Sequence, residues 1–267
     1  MTGEILSTSE IGQNGLWGDR GYAIIDKADG KVATAKNPKK WPSLLNYQAT
    51  IKDLASNNSI SPVTIKFPDG TLVSSDQSGI DEKLSQAFGR EVFLARTESG
   101  KIAGVQSPIP DSWTASSEEY NLDLDGRVEK ESVTDFELPE GTFFDAAKLH
   151  LLTTSTLSRL SEIYPEGEFN IQRFRPNIVV ETIGTENSFV ENEWIGHTLV
   201  LGNEVRLKVT EACPRCVMTT LGQGDLPKDT GILRTAAQHN QGYIGVYATV
   251  VQSGKIKQGD SVRLEKG

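Results

Sequence analysis

The stretch that organises this chain is Thr210–Thr220, which has the sequence TEACPRCVMTT. It contains the only two cysteines among 267 residues, Cys213 and Cys216, with Arg215 between them. In the preceding run, 199–209, the second half alternates apolar and polar side chains, which predicts a half-buried β-strand. The proline after Cys213 predicts the end of that strand, because proline cannot donate to a β-ladder. The sequence therefore puts two thiols and a cation in a loop at a strand end, where function is often located.

Several interpretations of the cysteine pair compete. A structural disulfide is disfavoured, because two cysteines in a long chain without an export signal indicate a reducing compartment. A zinc site is disfavoured, because one CxxC supplies two ligands and the three histidines show no ligand spacing. A thioredoxin-like motif would begin a helix, which residues 217–222 do not predict. A reactive thiolate beside Arg215, binding a soft metal or carrying sulfur, and an inert buried cysteine remain open.

Composition restricts the classes of function. The length suits one large or two modest domains. A net charge of −9 argues against general affinity for nucleic acid or anionic membranes. No apolar run reaches about 18 residues, so no membrane span is predicted. The N-terminus lacks the pattern of a signal peptide, so we expect a cytoplasmic protein.

Two cations flank a predicted hairpin near the N-terminus. Residues 22–26 and 31–35 read as strands joined by a Lys-Ala-Asp-Gly turn. A closed hairpin would bring Arg20 and Lys36, which lie just outside these strands, to the same end. Arg20 then either pairs with a neighbouring carboxylate or contacts an anionic ligand.

Residues 98–140 are polar, acidic and proline-bearing, which predicts a linker or lid between two halves of the chain. Short runs of β-branched residues and plentiful glycine on both sides indicate β-rich architecture. Beyond the linker, the hydroxyl-rich run 153–155 follows an apolar strand and predicts a helix start. Its side chains can cap that helix or, with the exposed N–H groups, favour an anion.

A second pair of cations precedes a proline in the run 170–181. If this run is extended, Arg173 and Arg175 share one face, beside Asn177. Guanidinium groups match phosphate oxygens, so this pair suits an anionic ligand. Ion pairs at the protein surface are the alternative.

Four strings of the sequence resemble the MOSC-domain proteins, the family of the molybdenum cofactor sulfurase C-terminal domain, which includes the mitochondrial amidoxime reducing component. In chain order they are Gly15–Arg20 (GLWGDR), Arg173–Val179 (RFRPNIV), Cys213–Thr220 (CPRCVMTT) and Gly259–Val262 (GDSV). The resemblance covers nearly the whole chain. It implies a β-rich α+β fold with three regions: an N-terminal β-barrel-like region over 1–97, the acidic linker or lid over 98–140, and a MOSC domain over 141–267, a β-barrel with a few short helices.

The resemblance also implies that the protein binds the molybdenum cofactor, a molybdenum–molybdopterin. Cys216 corresponds to the family's metal ligand and is the implied catalytic residue; a soft thiolate suits molybdenum. The role of Cys213 stays open, simple packing included. By position, the implied contacts to the cofactor are Arg20, Thr153, Thr154, Ser155, Arg175, Asn177 and Arg215.

The implied activity is that of an oxidoreductase acting on N- or S-oxygenated small molecules. A ferredoxin-type cluster needs four cysteines, so the electrons are expected from a separate reductase. The alternatives are a carrier of cofactor or sulfur, using a cysteine thiolate or persulfide, and a MOSC-like fold that has lost the cofactor.

The start of the chain departs from the family. Relatives carry a Pro-Val-Lys-Ser-type segment ahead of a Gly-Glu pair, whereas Gly3-Glu4 here follows Met1 almost at once. We expect the natural start to lie upstream, with an edge strand and one anion contact.

Overall fold

The computed structural model describes residues 1–51, 60–98, 101–103, 113–122, 128–139, 142–184 and 187–265. Within these residues, seventeen strands and four α-helices confirm the predicted β-rich α+β class. The strands are β1 (Thr8–Gly12), β2 (Gly15–Leu16), β3 (Tyr22–Asp26), β4 (Gln48–Ile51), β5 (Val63–Lys66), β6 (Leu72–Ser74), β7 (Val92–Glu98), β8 (Lys101–Ala103), β9 (Thr114–Leu122), β10 (Val128–Glu137), β11 (Leu149–Thr153), β12 (Ile178–Val180), β13 (Thr198–Leu201), β14 (Val205–Pro214), β15 (Tyr243–Gln252), β16 (Gly254–Lys257) and β17 (Val262–Glu265). The α-helices are α1 (Ile80–Phe88), α2 (Thr154–Ile163), α3 (Ile171–Phe174) and α4 (Gly231–Asn240).

The chain divides into two compact units, each assembled from segments that are distant in sequence. Unit 1 comprises residues 1–4, 18–119 and 131–146. Unit 2 comprises residues 5–17, 120–130 and 147–267. The boundaries predicted from the sequence, 1–97, 98–140 and 141–267, stay a prediction.

Unit 1 contains two three-stranded sheets, in the orders β3-β7-β8 and β4-β5-β6. Helix α1 ends at Gly89, which adopts a left-handed φ of 61°, a conformation that glycine takes without strain. The predicted return strand over 31–35 is wrong: Val32 makes a single bridge to Ile25. Residues 31–33 bond to β3 only locally, on the edge opposite β7, and Val32 also bridges Ala115.

The segment predicted as an acidic linker or lid also carries regular structure. Strands β9 and β10 pair into a two-stranded sheet. Trp113, Ala115 and Leu138 bury their side chains in a cluster with Ile25 and Phe143. Because buried apolar side chains stabilise a fold, this part of the chain helps to form the core of unit 1 as well as connecting elements.

Unit 2 is built on a six-stranded half-barrel sheet in the order β12-β11-β15-β14-β13-β17, beside a three-stranded sheet β16-β1-β2. Both β11 and β14 run antiparallel to β15, and β12 runs parallel to β11. Strands β11, β12 and β14 therefore end at the same edge of the sheet. Cys213 lies within β14, which corrects the predicted position of this thiol in a loop. The loop that follows β14 at that edge carries Cys216 and is called the cysteine loop here, and α2 follows β11.

The run 170–181 is not extended throughout, and this prediction is wrong. Asn170 caps α3 by accepting a hydrogen bond from Gln172 N at 2.9 Å, as asparagine commonly does at a helix start. Arg175 ends the helix with a left-handed φ of 52°. Arg173 and Arg175 therefore do not share a strand face, and only Ile178–Val180 is a strand.

Among the helices in the described part of the chain, none has the length and apolar character needed to cross a membrane.

Candidate functional site

The cysteine loop begins where the sequence predicts. Strand β14 ends at Pro214, which pairs with Tyr243. The following residues correct the expectation of a non-helical loop, because Val217–Thr220 forms a short 3-10 helix. The backbone oxygen of Cys216 accepts hydrogen bonds from Thr219 N at 3.1 Å and Thr219 Oγ1 at 3.0 Å. This turn fixes the backbone of Cys216.

The two cysteines differ in their surroundings. Both are free thiols, but Cys213 is buried whereas Cys216 is partly exposed. The Arg215 guanidinium donates to Cys213 Sγ at 2.8 Å and to Phe174 O at 2.9 Å. Its Nε atom is buried without a hydrogen-bond partner. Arg215 thus engages the sulfur of Cys213, and these contacts do not support a direct action on Cys216.

His150 is a buried histidine that senses the positive charge of Arg215. Its Nε2 atom lies 3.1 Å from Ile244 O, so the neutral ring donates from Nε2. Burial, reinforced by the positive charge of Arg215, lowers the pKa of His150 from 6.5 to about 3. A Cβ on Gly245 would overlap the imidazole, and this glycine has a φ of +81°. Position 245 therefore needs glycine for His150 to occupy its place.

Asn177, just before β12, forms hydrogen bonds to the backbone of β11. Its Oδ1 accepts from His150 N at 2.9 Å, and its own N–H donates to His150 O at 2.8 Å. Arg175 is partly exposed and directly follows Phe174, whose carbonyl holds Arg215. The structure thus connects three residues that the sequence predicts as cofactor contacts, Arg175, Asn177 and Arg215, through His150 and Phe174.

The other predicted contacts in unit 2 have local roles. Thr153 caps α2 because its hydroxyl oxygen accepts a hydrogen bond from Thr156 N at 3.1 Å. The hydroxyl groups of Thr153 and Thr156 each donate to the buried carboxylate of Glu191 at 2.7 Å. Thr154 Oγ1 accepts from a backbone N–H, that of Thr182, at 3.2 Å. Ser155 Oγ donates to Ser188 O at 2.8 Å. These contacts are those of a helix start, the simpler of the two interpretations.

Arg20 belongs to unit 1, where it meets Lys36 as the sequence predicts. Asp145 lies between them, 3.2 Å from Arg20 and 2.8 Å from Lys36. Burial would raise the pKa of Asp145, but the two cations outweigh this effect and hold the pKa well below its usual range. Arg20 therefore pairs with Asp145, a carboxylate far along the chain, whereas the sequence indicates a neighbouring one.

Some functional candidates were missed from the sequence. Nothing in the sequence pattern indicates that Arg173 is fully buried, that Glu191 faces two threonine hydroxyls or that Asp145 bridges two cations. His150 does carry a signal, because a histidine inside the apolar run of β11 indicates a buried ring.

The fold and site define unit 2 as a β-rich domain with a free cysteine just beyond a strand end. Residues 139–263 match the family model described as the MOSC domain. This part of the chain is a MOSC domain.

Known proteins extend this comparison. The mitochondrial amidoxime reducing component 2 of Bos taurus is 29% identical over 136 residues, which are 44% of this chain and 37% of the relative. That of Rattus norvegicus is 35% identical over 94 residues, 35% of this chain and 24% of the relative. The matched segments thus span less than half of each relative. Solved structures with partial similarity are YiiM from Geobacillus stearothermophilus (TM-score 0.33, 13% identity, 56% of this chain and 72% of that chain) and YuaD from Bacillus subtilis (0.36, 9%, 57% and 97%).

The residues at this edge are compatible with the molybdenum cofactor. Cys216 is partly exposed, and its side chain carries the soft donor that suits molybdenum. The unpaired Nε of Arg215 is a buried donor that lacks an acceptor, and Arg175 adds a second positive charge. A free thiol in the residue that follows a guanidinium group is compatible with an anionic, metal-bearing group.

Proposed function

We propose that this protein binds the molybdenum cofactor and reduces N- or S-oxygenated small molecules. The observation that carries the proposal is the free, partly exposed Cys216, one residue after a guanidinium that is held by Cys213 Sγ and Phe174 O. The MOSC domain over 139–263 and the similarity to amidoxime reducing components support the same function.

Each residue of the site has a distinct task in this proposal. Cys216 would hold the metal through its thiolate. Arg175 and Arg215 would balance the negative charge of the cofactor, as guanidinium groups do for phosphate. His150 would stay neutral at physiological pH, because its pKa is about 3, and so would add no charge near Arg215. The contacts of Arg20 and Thr153–Ser155 with the cofactor stay predictions.

The reaction consumes two electrons and two protons for each oxygen removed. An amidoxime C=N–OH would become an amidine C=N–H, and the oxygen would leave as water. The bound cofactor would supply this two-electron chemistry. The electrons would come from a separate reductase, because two cysteines cannot form a four-cysteine iron–sulfur centre. The cytoplasmic location expected from the sequence stays a prediction.

A reconstituted assay tests the activity. Cofactor-loaded protein, supplied with a chemical reductant, should convert benzamidoxime to benzamidine, measured by chromatography. Cys216→Ala should lose at least about 100-fold in rate, since the metal would lose its protein ligand. Glu204→Gln, at the turn between β13 and β14, provides a surface control that should retain the wild-type rate.

The opposite results are also informative. Activity that survives Cys216→Ala would remove the cysteine from its proposed role. If loaded protein reduces no oxygenated substrate but restores a cofactor-free molybdoenzyme, the protein is a carrier, and the proposed reductase function is wrong.

A further inference from the structure

The guanidinium of Arg173 is buried beneath the cysteine loop. Arg173 is fully buried, in contrast to the exposed or surface-paired arginine that its charge suggests. Burial lowers its pKa, while the negative charges of Asp229 and Glu168 oppose that effect. A buried cation is costly unless its N–H groups are bonded, so the partners of Arg173 define its role.

Those partners are all backbone carbonyl oxygens. Nε donates to Glu168 O at 2.8 Å, ahead of α3. Nη1 donates to Thr219 O at 3.3 Å and Leu221 O at 3.2 Å, and Nη2 donates to Pro227 O at 2.8 Å. Three of the four acceptors thus lie in the segment that follows Cys216.

Two of these acceptors, Thr219 O and Leu221 O, lie at the end of the 3-10 helix. The 3-10 helix ends at Thr220, so carbonyls at its end lack partners within the helix. The planar guanidinium can bond several of them at once, which a lysine ammonium does less well. Thr219 is the connection to the sulfur, since its N–H and hydroxyl hold the oxygen of Cys216 while its own oxygen is held by Arg173.

The start of the cysteine loop is also bonded to α3, the helix that carries Arg173. Arg215, just before Cys216, donates to the carbonyl of Phe174, the last residue of α3. Helix α3 therefore holds the cysteine loop on both sides: the Phe174 carbonyl holds its beginning and the Arg173 side chain holds its continuation.

We infer that Arg173 is the positioning residue of Cys216, acting through Thr219. It fixes the loop after β14 so that the thiol keeps one orientation at the sheet edge. The inference rests on the proposed function in one respect, the identity of Cys216 as the functional sulfur. Arg173 itself touches neither the sulfur nor any position we assign to the cofactor.

The rates at which the two thiols react with iodoacetamide test this role. Peptide mass spectrometry follows Cys216 and Cys213 separately in the same full-length chain, without added cofactor. In Arg173→Lys, the Cys216 rate should rise roughly tenfold because the loop opens locally more often, while the Cys213 rate stays unchanged. Thr219→Val, which removes one bond to the Cys216 oxygen and keeps the guanidinium, should shift the Cys216 rate in the same direction.

A matched control separates positioning from overall stability. Leu199→Ala truncates a buried side chain of the unit 2 core and keeps every contact of the loop. It should change the two thiol rates together or leave both unchanged. If Arg173→Lys does not fold, the Thr219→Val result decides the question.

An unchanged Cys216 rate in the folded variants, or a parallel rise at both cysteines, would overturn the inference. Because the readout is thiol reactivity, a protein that binds no molybdenum would refute the proposed function and leave this test intact.

Discussion

Arg173 and Arg215 show how the same type of side chain meets two different requirements. Arg173 gives its N–H groups to four carbonyl oxygens and has become part of the scaffold. Arg215 divides its bonds between the Cys213 sulfur and a carbonyl and keeps one N–H unpaired. An unpaired buried donor costs stability, so the guanidinium of Arg215 is less completely bonded than that of Arg173.

His150 makes the stability of the fold depend on pH. The unfolded chain binds a proton on this ring near pH 6.5, but the folded chain does so only near pH 3. Between these values the unfolded state binds more protons, so the stability of the fold decreases as the pH falls. Above pH 6.5 the ring is neutral in both states and the effect is absent.

His150→Gln should remove this pH dependence. Between pH 7 and pH 5, the free energy of unfolding of the wild type should fall by about 2 kcal/mol more than that of the variant. Urea unfolding at the two pH values measures the difference. Equal losses in both proteins would contradict the assignment of a buried neutral histidine.

At the scale of elements, Thr153 links β11 to α2. Thr153→Val should lower the free energy of unfolding by about 1–2 kcal/mol, because the helix loses its N-terminal cap and Glu191 loses one donor. Thr153→Ser keeps the hydroxyl and should stay close to the wild type. Denaturant unfolding followed by circular dichroism measures both. Unchanged stability of the valine variant, with reduced cofactor binding alone, would instead support the predicted contact to the cofactor.

Elements with strong local signals could be predicted from the sequence. Strand β14 ends at its proline, and α2 begins at the hydroxyl-rich run 153–155, as the sequence predicts. Helix α3 was missed because it spans only four residues and is stabilised by its Asn170 cap and by the contacts of Arg173. Such contacts come from residues far away in sequence and leave no periodic pattern.

At the scale of the whole molecule, the two units are discontinuous in sequence. Residues 5–17 precede most of unit 1 but belong to unit 2, through the pairing of β1 with β16. Pairing between strands some 240 residues apart depends on tertiary packing. Domain boundaries drawn as continuous ranges of the sequence therefore cannot describe this unit. The MOSC domain itself was predictable, because three of the four local motifs lie within residues 139–263 and retain the family's order.

The candidate site was predictable in its residue types and less so in their roles. Cys216 and Arg215 were found from one motif, but the bond from Arg215 to Cys213 Sγ depends on side-chain geometry. Arg20 and Lys36 do converge as predicted, although the return strand of the predicted hairpin does not form, and Asp145, which joins them, lies more than a hundred residues further along the chain.

The most direct test of the central claim is the molybdenum content of the purified protein, measured by elemental analysis in the wild type and in Cys216→Ala. A thiolate ligand contributes directly to metal affinity, so the wild type should carry up to about one molybdenum per chain and the variant less than about a tenth of that amount. The surface variant Glu204→Gln, purified in parallel, should match the wild type. Equal molybdenum content in wild type and Cys216→Ala, or none in either, would contradict the assignment of Cys216 as the metal ligand.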